Sequence, residues 1–179
     1  IVVISAGAFN GCTKLPTFTF PAKLERIEQL AFSSCKSLDN LSLPDTLTFI
    51  GPLAFENCSA LTTLTIPDTV TDIGSSSFRF CASIKSISLP HSIVKIENGT
   101  FSGCESLENI SLPDSLKEIG NEAFKGCIAM TTIAIPDFVT EIGYQAFASC
   151  TSLEKLTLSD ALTHIGYEAF LSCASLQNI

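Results

Sequence analysis

Eight cysteines, Cys12, Cys35, Cys58, Cys81, Cys104, Cys127, Cys150 and Cys173, stand 23 residues apart with no insertion between any two of them. The same interval aligns Phe9, Phe32, Phe55, Phe78, Phe101, Phe124, Phe147 and Phe170 in a second column, and Ile4, Ile27, Ile50, Ile73, Ile96, Ile119, Ile142 and Ile165 in a third. A proline column runs from Pro21 through Pro44, Pro67, Pro90 and Pro113 to Pro136, then breaks at Ser159. A fixed period of roughly 20 to 50 residues marks a solenoid, in which each unit is one coil. The 179 residues divide into about 7.8 units of 23, which favours one elongated domain over residues 1–179 rather than two compact ones.

One unit can be read between Cys58 and Phe78. Leu64 and Ile66 alternate with Thr63 and Thr65, the period of two expected of a strand with one wet face. Pro67 cannot supply a ladder N–H and ends that strand, and Asp68 suits the turn that follows. A second short extended piece is expected at Val70 to Ile73, with Gly74 as a corner. The Ala-Phe-x-x-Cys segment, Ala31 to Cys35 for example, has room for about one turn of helix or 3₁₀. Each unit has one apolar face and nothing of its own to bury it against, so neighbours must stack.

Composition agrees with a buried core: 46% of residues are hydrophobic and 16% charged, with no tryptophan. The formal charge of -8 repels phosphate backbones, which argues against nucleic acid as a partner, and it also repels an anionic membrane surface. The longest apolar stretches fall far short of the roughly 20 residues that cross a bilayer, so no membrane insertion by this segment is expected, and no basic start leads into an apolar signal core.

Leu61, Leu64, Ile66, Pro67, Val70, Ile73, Gly74, Phe78 and Cys81 follow the pattern Leu-x-x-Leu-x-Leu-Pro, then x-x-Leu-x-x-Ile-Gly-x-x-Ala-Phe-x-x-Cys. This pattern resembles the BspA-like leucine-rich repeats of bacterial and protozoan surface proteins, over essentially the whole chain. Departures are few: Met130 replaces Leu, Ser77 and Thr100 replace Ala, and Glu28 and Glu97 replace the corner Gly. The resemblance implies a leucine-rich-repeat solenoid of stacked parallel strands, an extracellular or cell-surface location, and adhesion or contact with a host or matrix protein. It transfers no catalytic residue.

Equivalent cysteines in successive coils have nearly parallel Cα–Cβ vectors, a poor fit to a disulfide, whose Cβ atoms lie about 3.8 Å apart and turned toward each other. A ladder of buried free thiols is therefore expected. Zinc wants closely spaced Cys or His pairs, and the sequence has none, so no cofactor is expected. The turn after the proline is acidic, with Asp45 and Asp68 in adjacent units and Asp114, Asp137 and Asp160 in a run of three. Calcium could bridge that triplet, although a single file of carboxylates supplies few of the six or more oxygens it takes. The simpler expectation is that each Asp accepts a hydrogen bond from its own turn.

In a solenoid of this kind the outward positions of the first strand line the concave wall where partners dock. One column reads Thr17, Asn40, Thr63, Ser86, Asn109, Thr132, Lys155 and Asn178, and the next Thr19, Ser42, Thr65, Ser88, Ser111, Ala134 and Thr157. This small, polar wall lacks the aromatic and arginine anchors of tight interfaces, so binding through Thr63, Thr65 and Lys155 would be broad and shallow. Phe49, Phe80, Phe138, Tyr144 and Tyr167 instead occupy columns otherwise held by polar or small residues. Tyr144 and Tyr167 share a column in adjacent units, within stacking reach, and with Phe138 they form a candidate contact patch.

The two histidines, His91 and His164, fall in different columns about three units apart, and there is no G-x-S-x-G, phosphate loop or H-E-x-x-H. No enzyme is expected. Asn40, Asn57, Asn98 and Asn109 head Asn-x-Ser/Thr triplets that a secreted eukaryotic protein could glycosylate. The chain begins at Ile1 beyond the proline of its unit and stops at Ile179 inside a strand, so a segment of a longer protein, or end-to-end self-association through an open coil, is expected. The leading functional expectation is a non-enzymatic protein-interaction or adhesion module. The alternatives are a structural spacer and a calcium-dependent binding module.

Overall fold

A computed structural model describes all of residues 1–179. Fourteen short strands follow one another: β1 (Val3–Ile4), β2 (Arg26–Ile27), β3 (Asn40–Ser42), β4 (Phe49–Ile50), β5 (Thr63–Thr65), β6 (Asp72–Ile73), β7 (Ser86–Ser88), β8 (Lys95–Ile96), β9 (Asn109–Ser111), β10 (Glu118–Ile119), β11 (Thr132–Ala134), β12 (Glu141–Ile142), β13 (Lys155–Thr157) and β14 (His164–Ile165). All pairing is parallel and offset by one repeat, so Leu41 lies beside Leu64 and Ile27 beside Ile50. The three-residue strands form a first ladder, β3-β5-β7-β9 and β11-β13, and the two-residue strands a second, β1-β2-β4-β6 and β8-β10-β12-β14. The fold is a parallel β-solenoid with about 23 residues per turn and no helix.

The strands match the two-residue alternation. Leu64 is buried between exposed Thr63 and Thr65, Ile66 and Pro67 are also buried, and the second extended piece narrows to Asp72–Ile73. The Ala-Phe-x-x-Cys segment forms three successive i→i−3 turns rather than a helix, such as Ala54 N–H to Gly51 O (3.2 Å) and Cys58 N–H to Phe55 O (3.2 Å). Two residues per coil, such as Leu53 (φ 58°) and Asn57 (φ 58°), take left-handed backbone. With a left-handed residue at each end of this segment, every second N–H points along the solenoid axis. Leu53, Phe55 and Asn57 therefore donate to Ser75, Ser77 and Arg79 of the next coil at 3.0, 2.8 and 2.7 Å. Non-glycine residues in this conformation cost roughly 1–2 kcal/mol each, and the three inter-coil bonds of the segment offset that cost.

Inside, the phenylalanine column is a continuous stack from Phe9 to Phe170, with ring centroids 5.0 to 5.8 Å apart. Phe32, Phe55, Phe78, Phe101, Phe124 and Phe147 have no exposed surface, and burial of each contributes roughly 1.5–3 kcal/mol. The cysteines run beside them as free thiols: Cys35 to Cys150 are buried, Cys173 is half-buried and Cys12 is exposed. Burial pushes the Cys58 and Cys150 thiols up to about 12 and those of Cys81, Cys104 and Cys127 well above their ordinary value, because a thiolate there would be stripped of water.

The acidic turns do not work as the sequence led us to expect. The carboxylates of Asp45, Asp68, Asp114, Asp137 and Asp160 are exposed, and the turn is closed by backbone bonds such as Val70 N–H to Pro67 O (3.0 Å). The neighbouring hydroxyl carries the side-chain role. Thr46, Thr69, Ser92 and Ser115 each donate to a carbonyl of the preceding coil, Leu24, Leu47, Val70 and Ile93, at 2.7 to 2.8 Å.

The second ladder is interrupted between β6 and β8. A Cβ at Gly51, Gly74, Gly120, Gly143 or Gly166 would lie within 2.8 Å of the preceding coil, so these five corners are as tight as they are only with glycine. Glu97 stands in that column, and Ile73 O receives no bond from it, although Gly74 and Gly120 make the equivalent bond at 2.8 Å. The bond from Val94 N–H to Thr71 O is missing as well. Glu28, the other corner departure, follows β2 and keeps its bond to Ile4 O of β1 at 2.9 Å. A corner glutamate thus coincides with a lost ladder bond at Glu97 and not at Glu28. No helix is long and apolar enough to cross a membrane.

Candidate functional site

The expected contact residues fall on separate surfaces. Thr63 and Thr65 project from β5 in the first ladder, both exposed, and Thr63 donates to Asn40 Oδ1 at 2.7 Å. Lys155 starts β13 in the same column but four coils further on, about 19 Å away at strand spacing. The first-ladder face therefore presents Thr63 and Thr65 at one place and Lys155 at another, with neutral hydroxyl and amide groups between them.

Tyr144 and Tyr167 lie just past β12 and β14, at the corner beyond the second ladder. Their rings stack at 6.2 Å with an 8° interplanar angle, 42% and 74% exposed. The neighbouring Glu168 carboxylate pushes the Tyr167 phenol above its ordinary value, so it stays a protonated donor. Phe138 stands in the turn between β11 and β12, in the column of the inter-coil hydroxyls. It is 66% exposed, and the carbonyl it should serve, Leu116 O, receives no bond. Phe138 thus gives up a ladder bond and hides little of its ring in return.

The other template-breaking aromatics are locally occupied. Phe49 lies under the Arg26 guanidinium at 3.9 Å, and Phe80 packs against Gly103, where an added Cβ would be 2.4 Å from its Cδ1. Asp114, Asp137 and Asp160 are all exposed, and no three carboxylate, thiol or imidazole groups converge as metal ligands would.

Two grooves along the second-ladder corner were not anticipated. The larger, about 350 Å³, lies over the interrupted pairing and is lined by Phe49, Pro52, Asp72, Val94, Lys95 and Glu97 among others. Lys95 is tied at 2.8 Å to Glu118, which holds it above its ordinary value. The second, about 250 Å³, shares Ser75 with the first and continues past Arg79, Asn98, Asn121 and Glu122 to Tyr144. Asn98 Oδ1 accepts from Asn121 N–H and Asn121 Oδ1 from Tyr144 N–H, each at 2.8 Å. The visible signal was the shared column of Asn98, Asn121, Tyr144 and Tyr167 in consecutive repeats.

The model of the family described as the BspA type leucine rich repeat region (6 copies) matches residues 2–105 and 71–179. The chain belongs to this family. Among solved structures, a leucine-rich repeat protein from Bacteroides ovatus is 31% identical with a TM-score of 0.80, covering 98% of this chain and 51% of its own. The chain thus spans about half the length of that protein. The leucine-rich repeat protein of T. pallidum is 28% identical with a TM-score of 0.69, covering 99% of this chain and 72% of its own. The pneumococcal vaccine antigen PcpA shares the fold at 23% identity and a TM-score of 0.63, covering 99% of this chain and 55% of its own. No curated protein sequence matches. BspA-type repeats, like leucine-rich repeats generally, are scaffolds for protein–protein interaction and typically non-catalytic.

Proposed function

We propose that this chain is a non-enzymatic adhesion module displayed on a cell surface, and that it grips a host or matrix protein chiefly through Tyr144, Tyr167 and Phe138. Surface display rests on the BspA-like resemblance. The observation that carries the contact assignment is the exposed stack of Tyr144 on Tyr167 (6.2 Å), together with Phe138 standing where a ladder hydroxyl belongs. Aromatic anchors of this kind dominate the energetics of protein interfaces. Thr63, Thr65 and Lys155 add shallow polar contact on the first-ladder face.

The test is retention of soluble host and matrix proteins by the immobilised chain. Replacing Phe138, Tyr144 and Tyr167 by Ser is expected to weaken retention by at least about tenfold, the equivalent of roughly 1.4 kcal/mol. Retention unchanged in that variant would remove the aromatic site. No retention by the unmodified chain would favour a spacer that holds a distal domain away from the envelope.

A further inference from the structure

We infer that the groove ending at Tyr144 is a binding subsite for an acidic saccharide, with the sugar ring on the free face of Tyr144 and its carboxylate on Arg79. This goes beyond the protein-contact reading and stands on different residues, apart from the shared Tyr144.

The groove is lined mostly by polar groups that can donate hydrogen bonds: Ser75, Ser76, Arg79, Asn98, Asn121 and Tyr144. The Oδ1 atoms of Asn98 and Asn121 each accept a backbone N–H of the next coil, which fixes the orientation of the amide and leaves its two NH₂ donors without a protein partner. Arg79 takes part in none of the ion pairs, and its Nε is buried without a hydrogen-bond partner. Its guanidinium carbon lies over the Phe80 ring, 4.6 Å from the ring centre, a contact that uses none of its N–H donors. Ser75 and Ser76 line the same space. The one carboxylate there, Glu122, is neutralised by Lys125 at 2.9 Å. On a chain of net charge -8, this spot carries an unpaired positive charge. The Nε is out of a ligand's reach, but the terminal nitrogens of this guanidinium are accessible and unpaired, so the chemistry that completes the groove offers acceptors and a negative charge.

Tyr144 narrows the class. Because Tyr167 covers one face of its ring, the opposite face turns back along the solenoid axis toward Asn121 and the groove. The electron-rich face of an aromatic ring attracts the partly positive C–H groups on one side of a pyranose. Hydroxyl oxygens at the edge of that ring then meet the Asn98 and Asn121 amides, and a ring carboxylate meets the paired terminal nitrogens of Arg79, whose spacing matches the two carboxylate oxygens. A bare phosphate or sulfate would leave the tyrosine face unused. A peptide carboxyl terminus would satisfy Arg79 but not the row of amides.

The test uses the full chain and immobilised oligosaccharides that end in a hexuronic or sialic acid, each beside its neutral counterpart. Binding of the acidic forms at least about tenfold tighter than the neutral ones is expected, weakening with salt. Arg79→Gln should erase that preference, Tyr144→Ala should abolish binding to both forms, and Tyr144→Phe should retain it. The Arg79 side chain is part-exposed, and unchanged burial of the thiols verifies that each variant is folded. Equal binding of acidic and neutral forms, no binding at all, or a preference for peptides with free carboxyl termini would each overturn the assignment. Arg79→Gln should leave retention of host proteins unchanged, whereas Phe138→Ser should lower that retention and leave saccharide binding intact.

Discussion

The thiol of Cys81 donates to the carbonyl of Phe55, 3.1 Å away in the preceding coil. The same bond recurs at 3.1 to 3.3 Å from Cys35 to Phe9 through to Cys173 and Phe147. Each cysteine therefore fills core volume and adds a cross-link between coils, a role that needs the protonated thiol. A thiolate has no proton to give and loses its hydration in this position.

Stability should accordingly fall at alkaline pH. An exposed thiol in the unfolded chain ionises near 8.5, whereas burial holds Cys58 and Cys150 protonated up to about 12. The folded state thus binds more protons across that window. The contribution is complete below the unfolded value and is lost as pH rises toward the folded one. Urea midpoints measured from neutral to alkaline pH should drop above about 8.5, and a Cys81→Ala, Cys104→Ala, Cys127→Ala variant should show a shallower drop. An equal drop in that variant would assign the effect to other groups.

Phe138→Thr should stabilise the fold while weakening partner retention. The new hydroxyl meets Leu116 O as Ser115 meets Ile93 O at 2.8 Å, and one such bond contributes about 0.5–1.5 kcal/mol. Thermal unfolding and retention measured on the same preparation check both halves. A destabilised variant would mean that the Phe138 ring is needed for packing.

Glu97→Gly should close the gap between β6 and β8. Restoring the bonds to Thr71 O and Ile73 O offsets the roughly 0.5–1 kcal/mol entropy cost of glycine, so the variant should be at least as stable as the parent. Amide exchange gives the direct readout. Val94 and Glu97 should exchange faster than Gly74 and Gly120 in the parent, and should slow in the variant. Protected amides at Val94 and Glu97 in the parent would show that the ladder is already closed.

The columns of Cys, Phe, Ile and Pro made the coil, its length and its core legible, because each repeats a burial requirement that a single unit cannot meet. The left-handed positions were hidden. Glycine fills only Gly7, Gly11, Gly99, Gly103 and Gly126, while Leu30, Leu53, Phe80 and Gln145 accept the same conformation in exchange for inter-coil bonds. The stacking of Tyr144 on Tyr167 followed from their shared column. The donor groove did not, because it depends on which atom of Asn98 and Asn121 the backbone consumes and on Arg79 having no partner, and spacing reveals neither. The acidic turns misled for a related reason: proline followed by aspartate reads as a side-chain-capped turn, but the adjacent hydroxyl reaches the neighbouring coil and takes over the task.

In-register stacking is tested most directly by counting reactive thiols in the folded and the denatured protein. Stacked coils should give prompt labelling of Cys12, slower labelling of Cys173, and no labelling of Cys35, Cys58, Cys81, Cys104, Cys127 and Cys150 until the chain unfolds. Prompt reaction of most of those six in the folded protein would contradict the stack, and with it every surface derived from the order of its coils.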